Sequence, residues 1–378
     1  MVKLGDICDI KSGGTPSRSN ANYWNNGNIP WIKISDFNNT YIENTEEFIT
    51  KEGLDNSSAK MIKKGSILFT IFATLGEVAI LNIDATTNQA IASLTISDES
   101  VKQKYLYYFL CSLKDFVNGI GRGVAQNNIN LKILKNISVP IPSSDKQNKI
   151  IKILDNVNCA IDCKKQQLLK LNELVKSRFI EMFGDPVSNS KNIMKLTLPE
   201  LGELGRGVSK HRPRNAIELL GGQYPLIQTG DVANADLYIK EYTETYSEFG
   251  LNQSKMWDKG TLCITIAANI AKTAILNFNA CFPDSIVGFN ANSLTNNIYI
   301  HYWFSFFQAI LEKQAPESAQ KNINLKVLSE LKVIVPIIEL QNEFVEFVQV
   351  IDKSKLAIEK SIEKLEILKK SLMQEYFG

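Results

Sequence analysis

The residues best suited to bind a ligand are basic and hydroxyl side chains in glycine-containing loops. Residues 206–214 read RGVSKHRPR and hold five Lys, Arg or His residues among nine, and residues 11–18 read KSGGTPSR. Glycine lets a backbone approach a ligand closely, hydroxyls donate hydrogen bonds to phosphate, and Lys and Arg supply positive charge. Both loops are therefore candidates for phosphate contact, although each could equally be a solvated turn.

Amide side chains in other polar loops suit the reading of bases. Asn and Gln can pair with adenine edges, and Lys or Arg can pair with guanine. Each loop taken singly favours a solvated turn, and the loops that recur in both halves together form a set of candidates for contact with nucleic acid. The candidates in the first half are Lys11, Thr15, Ser17, Arg18, Lys33, Ser35, Asp36, Thr74, Gln89, Arg122, Gln126 and Asn127. Those in the second half are Ser209, Lys210, His211, Arg212, Arg214, Gln228, Thr229, Asn269, Lys272, Gln320 and Lys321.

Motifs of catalysis are largely missing. The sequence has no P-loop, no G-x-G-x-x-G after a strand and no H-E-x-x-H, and residues 28–31 (NIPW) favour a strand entry over a methyltransferase motif. Pro283-Asp284, followed by Glu330-Leu331-Lys332, loosely fits the metal site of a nuclease. The aligned positions of the first half carry no carboxylate. We therefore expect no catalytic residue and no metal site, with a metal-dependent endonuclease as one alternative.

Composition excludes several classes of protein. The chain has 378 residues, of which 44% are hydrophobic and 22% charged, as in folded domains. Its net charge of +2 is not a strongly basic footprint, so DNA binding would need local charge or a partner. Without a signal peptide or a long apolar run, a cytoplasmic protein with no membrane contact is expected. Cys159 and Cys163 are expected to be small core residues.

The chain is a tandem duplication. Residues 125–134 (AQNNINLKIL) match 319–328 (AQKNINLKVL) at eight of ten positions. Residues 65–81 match 260–276, and the PWIKISD segment that starts at Pro30 matches PLIQTGD from Pro225. In contrast, residues 37–64 and 98–122 do not align with 232–259 and 293–316. These variable segments are expected to include the residues that read bases, so the two copies should read different sequences.

Each copy combines a globule with a helix. Short β-branched runs such as 67–71 and 78–81 predict strands, and apolar spacing predicts one helix at 102–118. Apolar residues then alternate by four and three from Ile150 to Met182 and from Phe344 to Tyr376, which favours a coiled coil over an amphipathic helix lying on a globule. The predicted fold class is α+β: two similar α/β globules separated by two long antiparallel helices with pseudo-two-fold symmetry.

The order of these motifs resembles that of the DNA-specificity subunit of type I restriction-modification systems. The matching residues are Leu4-Gly5-Asp6, then SGGTPS at 12–17, then IPWIK at 29–33, then Gln126-x-x-Ile129-x-Leu131, and then VPIP at 139–142 with Gln147. The resemblance covers the whole chain, including the duplication and both helices. The loop at 72–79 (FATLGEVA) lacks the basic residue that family members often carry, which weakens the assignment of Thr74.

The resemblance implies that residues 1–149 and 187–343 are two target recognition domains, each reading half of a bipartite DNA site. Residues 150–186 and 344–378 would be conserved helices that set the spacer and dock two methyltransferase subunits. Those subunits would use S-adenosylmethionine to methylate adenine N6, and a translocase-endonuclease subunit would use ATP and Mg²⁺. This chain would need no cofactor of its own. A coiled-coil adaptor between proteins is the second alternative.

Overall fold

The computed structural model of the protein describes residues 1–121, 129–267, 270–314 and 323–378. It divides into two compact units: unit 1 comprises residues 1–165 and 359–378, and unit 2 comprises residues 166–358. Each unit holds one globule and part of each of two helices of 40 residues, Ser144–Phe183 and Ile338–Phe377. We call these the central and C-terminal helices. The α+β class with a duplicated globule is confirmed.

Unit 1 is built on a five-stranded sheet. Its strands lie in the order Cys8–Ser12, Ile91–Ile96, Ile67–Thr70, Val78–Leu81 and Tyr41–Ile42. All pairs are antiparallel except the last, where Tyr41–Ile42 runs parallel to Val78–Leu81. The four residues of Ile67–Thr70 are buried, as their β-branched and aromatic side chains predict. The strands predicted at 67–71 and 78–81 are confirmed.

Unit 2 repeats the same sheet in the same order. Its strands are Gly202–Arg206, Ile286–Ala291, Leu262–Thr265, Thr273–Leu276 and Tyr238–Ile239, again with only the last pair parallel. The duplication read from the sequence is thus a duplication of topology.

Smaller sheets complete each globule. Unit 1 has a sheet of Phe48–Ile49, Ile29–Ile32 and Thr86–Thr87, and a pair formed by Val2–Lys3 and Ser138–Val139. Unit 2 has a sheet of Glu244–Tyr246, Leu220–Leu226, Ala280–Cys281 and Met256–Trp257, and a pair formed by Lys195–Thr197 and Lys332–Ile334. Strands therefore lie at equivalent places inside the segments 37–64 and 232–259, which the sequence comparison left unaligned.

Short helices link the sheets. In unit 1 they are Leu4–Ile7, Lys51–Asp55, Gln103–Ser112, Lys114–Gly121 and Leu131–Lys135. In unit 2 they are Leu198–Leu201, Thr229–Asn234, Glu248–Asn252, Asn297–Gln314 and Leu325–Glu330. The single helix predicted at 102–118 is wrong, because two helices meet at Leu113. Its amide donates to the Leu110 carbonyl three residues back, a tightened turn that ends the first helix.

The repeated glutamines are structural. Gln147 is fully buried, and its Nε2 donates to the carbonyls of Ser100 (2.9 Å) and Pro142 (3.0 Å). Gln341 is equally buried and donates from Nε2 to the Pro336 carbonyl at 2.8 Å. The loop carbonyls thus supply the partners that each buried amide requires. In each unit it therefore fixes the start of a long helix to the globule.

The repeated INLK segments dock on the sheets. Ile129 and Ile323 are buried, and their amides donate to the carbonyls of Ile71 (2.9 Å) and Ile266 (3.0 Å). The next residue, Asn130 in unit 1, caps the helix that follows. Asn324 does the same in unit 2. The described part of this motif is thus structural.

The long helices pack side by side within each unit. In unit 1, Ile150 and Leu154 of the central helix share a core with Met373 of the C-terminal helix. In unit 2, Phe179 of the central helix lies 5.4 Å from Phe344 between ring centroids. The start of one helix thus shares a unit with the end of the other, as antiparallel pairing requires. Within the described ranges, no helix has the length and hydrophobicity that a membrane crossing needs.

The pair of cysteines on the central helix lies outside the core. Val157 and Ile161 are buried, whereas Cys159 and Cys163 are exposed. Two residues correspond to about 200° around a helix, so positions 159 and 163 face away from the buried stripe. The assignment of these two residues to the core is wrong.

Candidate nucleic-acid interface

The loop at 13–18 of unit 1 is held against two strands. The Gly14 amide donates to the Thr87 carbonyl at 2.8 Å, and the Gly14 carbonyl accepts from Trp31 Nε1 at 3.0 Å. A Cβ on Gly13 would collide with Thr87 Oγ1 and with backbone, so only glycine fits there. This close approach presents the hydroxyl and basic residues of the loop at the edge of the smaller sheet.

Arg18 is fixed by aromatic rings and a carboxylate. Its guanidinium carbon lies 3.6 Å from the centroid of the Trp24 ring and 4.8 Å from that of Trp31. Arg18 Nη2 donates to Glu47 Oε2 at 2.6 Å. Cation–π contact and a charge-assisted hydrogen bond together hold the guanidinium in one place at the surface.

Lys33 shares the same carboxylate. Lys33 Nζ donates to Glu47 Oε1 at 2.9 Å, so both oxygens of this carboxylate are occupied by cations. Burial alone would raise the pKa of Glu47, but the hydrogen bonds from Lys33 and Arg18 outweigh it and hold that pKa below its usual value. The hydrogen bond to Glu47 raises the pKa of Lys33. The structure thus brings Arg18 and Lys33 together around a residue that the sequence analysis did not select.

The other candidates of unit 1 divide into three groups. Thr15 Oγ1 donates to Gln89 Oε1, which joins two candidates directly. Asp36 Oδ2 accepts from the Lys33 amide at 2.9 Å, a capping contact within the chain. Four of the remaining candidates are exposed: Ser17, which bonds to Ser19, Lys11, which pairs with Asp9, and also Ser35 and Thr74. The other three lie outside the described residues: Arg122, Gln126 and Asn127.

In unit 2 the basic loop also gathers around one carboxylate. Arg214 Nη2 is paired with Asp284 Oδ1, and Arg212 Nη2 lies 3.7 Å from Asp284 Oδ2. Arg206 Nε donates to the backbone carbonyl of Asp284 at 2.5 Å. Three arginines of the loop thus converge on Asp284.

Further hydrogen bonds and contacts hold this loop in place. Gln253 Oε1 accepts from the amides of Lys210 (2.7 Å) and His211 (3.0 Å). His211 Nε2 lies 3.5 Å from Glu218 Oε1. Ser209 is buried, and its hydroxyl finds no hydrogen-bond partner among the described residues. The backbone of the loop is therefore fixed while the Lys210 side chain stays exposed.

The remaining candidates of unit 2 are more dispersed. Gln228 Nε2 donates to Glu244 Oε2 at 2.9 Å. Thr229 begins the helix Thr229–Asn234, and the Lys272 amide donates to Thr265 Oγ1 at 3.1 Å. Three further candidates lie outside the described residues: Asn269, Gln320 and Lys321.

Sequence reasoning missed the residues that organise these cations. Glu47 follows Lys33 by 14 positions, and Asp284 follows Arg214 by 70. Neither spacing is a motif, so only the fold reveals the pairs. Lys255 was also missed, although its Nζ lies 3.8 Å from the centroid of the Trp257 ring. A search for aromatic residues beside basic ones would have marked Lys255 and Trp257.

The nuclease alternative finds no support in the geometry. Asp284 is paired with arginines, and Glu330 pairs with Lys326 at 3.9 Å. Within the part of the chain that the structure describes, no group of three or more His, Cys, Asp or Glu residues could hold a metal ion.

Comparison with known proteins places these observations in a family. Residues 1–173 and 191–369 match the model of the type I restriction modification DNA specificity domain. The chain is 33% identical over 188 residues to the type I restriction enzyme MjaIX specificity subunit of Methanocaldococcus jannaschii, covering 48% of this chain and 42% of that protein. It is 32% identical over 158 residues to the EcoR124I/EcoR124II specificity subunit of Escherichia coli, covering 40% and 39%. The matches thus span about two fifths of the length of these relatives.

The fold has a match among solved structures. A chain from a study of assembly and conformational transition in the type I R-M system aligns with all of this chain and 96% of its own length, with a TM-score of 0.63 and 17% identity. At that identity the likeness concerns the fold alone. Neither the nuclease nor the adaptor alternative finds a match among these proteins.

Proposed function

Because the chain belongs to the family of type I restriction modification DNA specificity domains, we propose that it is the DNA-recognition subunit of a type I restriction-modification complex. The two globules, at 1–149 and 187–343, each read one half of a bipartite DNA site. The helical segments 150–186 and 344–378 set the distance between the half-sites and dock two methyltransferase subunits.

One observation carries this proposal. Each unit presents a pair of fixed cationic side chains beside the same kind of sheet: Arg18 with Lys33 in unit 1, and Arg212 with Arg214 in unit 2. Fixed cations near glycine-containing loops suit phosphate contact, which positions a protein on DNA. Because the loops differ in sequence, the two half-sites should differ as well.

The chemistry belongs to the partners. Methyltransferase subunits bind S-adenosylmethionine and methylate adenine N6, and a translocase-endonuclease subunit uses ATP and Mg²⁺. The chain described here needs no cofactor and catalyses no step, and it works in the cytoplasm, where its DNA lies. Its contribution is to select the adenines that its partners reach by flipping the base from the duplex.

A footprint of the assembled complex tests the proposal. The full chain with its methyltransferase subunits should protect two short DNA tracts about one helical turn apart. Protection of one continuous tract, or of none, would contradict a bipartite reader. A protein adaptor without DNA recognition would give no sequence-dependent protection.

Lengthening the helices tests the spacer function. Four residues inserted after Lys165 and four after Ile358 fall at the boundaries between the two units, so neither unit loses its internal packing. Four helical residues add about 6 Å, and DNA rises about 3.4 Å per base pair, so the spacer should grow by one or two base pairs. The methylated motif of cells expressing the variant gives the measurement. An unchanged spacer in an active complex would contradict the spacer function.

A further inference from the structure

In each unit, one carboxylate is paired with the cationic side chains that are proposed to contact phosphate. Glu47 accepts hydrogen bonds from Arg18 and Lys33, at 2.6 and 2.9 Å. Asp284 pairs with Arg214 and lies 3.7 Å from Arg212. The two carboxylates come from different places in the two units. Glu47 precedes the edge strand Phe48–Ile49, whereas Asp284 follows the strand Ala280–Cys281.

We propose that Glu47 and Asp284 are specificity-determining residues, which act as internal counter-ions that DNA phosphate must displace from these cations. This inference rests on the proposed function. It assigns to two acidic residues a role in rejecting incorrect DNA.

The partial burial of both carboxylates supports this role. The side chains of Glu47 and Asp284 are 27% and 25% exposed, whereas neighbouring Glu46 is 90% exposed and lies 4.0 Å from Lys33. Solvent and salt screen a partly buried pair less than an exposed one. Glu47 and Asp284 therefore hold their cations more firmly than surface acids do.

The cost of displacement acts mainly on non-specific binding. Binding to random DNA depends almost entirely on phosphate contacts, whereas a correct site adds contacts to base edges. A phosphate that approaches Arg18 must break its bond to Glu47 and meets the negative charge of that carboxylate. Random DNA lacks base contacts and leaves these cations paired with their acids. A correct site is held by its base contacts and brings phosphate close enough to displace the acids, so the acids increase the ratio of specific to non-specific affinity.

Unit 2 contains an internal contrast to Glu47. Glu244 occupies the position in unit 2 that Glu47 occupies in unit 1. Each directly precedes a strand residue that pairs with the equivalent proline: Thr245 pairs with Pro225, and Phe48 pairs with Pro30. Gln228, the partner of Glu244, occupies the place of Lys33 but is neutral. In unit 2 the cations are instead held by Asp284, so the counter-ion accompanies the cations and not a fixed strand position.

The test measures DNA binding by the full chain assembled with its methyltransferase subunits. Glu47→Gln and Asp284→Asn each remove the charge while keeping the shape. Each should raise affinity for random DNA by about 3- to 10-fold and steepen the dependence on log salt by about one to two units, since up to two freed cations then bind phosphate. Affinity for the methylated motif should change less. Glu46→Gln removes an equal but exposed charge. It should leave the affinity for random DNA and its salt dependence near the parent values.

Several results would overturn the inference. Weaker binding with a shallower salt dependence would mean that the carboxylates only position the cations. A changed methylated motif would make them readers of bases. Equal behaviour of Glu47→Gln and Glu46→Gln would remove any special role. Glu47→Asp keeps the charge and should keep the parent salt dependence, and Asp284→Asn tests unit 2 independently should one variant fail to fold. A parent complex with no sequence preference would contradict the proposed function itself.

Discussion

The two units share a framework and differ where they would meet DNA. Their five-stranded sheets have the same strand order and directions, and Tyr105 and Tyr299 bond to equivalent carbonyls, those of Pro140 and Ile334, at 2.6 and 2.8 Å. The loops beside the smaller sheets differ in length, charge and counter-ion. The comparison shows that packing constrains the framework of both copies, while the exposed loops are free to diverge.

One turn shows how a fixed backbone can carry opposite charges. The amides of Glu77 and Lys272 donate to Thr70 Oγ1 (2.9 Å) and Thr265 Oγ1 (3.1 Å), so the turns have the same form. Glu77 pairs with Lys114 in unit 1. The same position on the sheet therefore carries an acidic side chain in one unit and a basic one in the other.

The largest effect should come from breaking the shared framework. Gln147→Ala and Gln341→Ala each remove a fully buried amide together with its hydrogen bonds to loop carbonyls, so each should lower the free energy of unfolding by about 2–4 kcal/mol. Asn148→Ala and Asn342→Ala remove exposed amides at the next position and should change it by less than about 0.5 kcal/mol. Urea denaturation gives both values. Unequal losses at Gln147 and Gln341 would show that the two frameworks are not energetically alike.

Periodicity and repetition predicted the framework because buried positions obey packing rules that appear in sequence. The strands at 67–70 and 78–81 and the buried stripe of the central helix follow from apolar spacing. The start of that helix, Ser144, lies before the predicted apolar run because its first turn is tied down by the polar Gln147. Polar anchoring of this kind leaves no apolar periodicity.

The organisation of the candidate site could not be predicted in the same way. The loops with Arg18 and Arg214 were identified by residue type, but their partners Glu47 and Asp284 come from distant loops. Long-range pairing depends on how the sheets bring loops together. One local signal was available, because Thr50-x-x-Gly53 and Ser247-x-x-Gly250 cap equivalent helices inside segments that seemed unrelated.

Removing the basic loop of unit 2 should have the next largest effect. Lys210, Arg212 and Arg214 replaced together with Ala should weaken binding at every DNA sequence, by about 100-fold at moderate salt, because phosphate contacts dominate the affinity. The salt dependence should become shallower by about one unit for each phosphate that these side chains no longer neutralise. The measurement is binding by the assembled complex at several salt concentrations. A changed methylated motif with an unchanged salt dependence would mean that this loop reads bases.

A smaller effect is a pH dependence of stability that should differ between the two units. His301 in unit 2 bonds to Thr273 at 3.0 Å, and burial lowers its pKa to about 4, with Asp236 opposing and Lys355 assisting this shift. The unfolded chain binds a proton near pH 6.5 and the folded unit does not, so this contribution to stability is present above pH 6.5 and lost as pH falls towards 4. Between pH 7 and pH 5 the loss should be about 2 kcal/mol.

Hydrogen exchange at pH 7 and pH 5 resolves this effect by unit. Unit 2 should lose protection at the lower pH, and His301→Gln should remove the part of that loss that comes from the histidine. The equivalent residue of unit 1 is Tyr107, which contacts Thr40 and is neutral over this range because burial raises its pKa. If His301→Gln loses as much protection at pH 5 as the parent does, the pH dependence comes from other groups.

The central claim is that two units with one framework read two different half-sites. A genome-wide map of adenine methylation, in a host carrying the gene with its methyltransferase partner and in the same host lacking it, tests this claim most directly. The account predicts one additional motif in the carrying host, made of two dissimilar specific parts separated by a spacer of unspecified sequence. A palindromic or undivided motif, or identical maps in the two hosts, would contradict it.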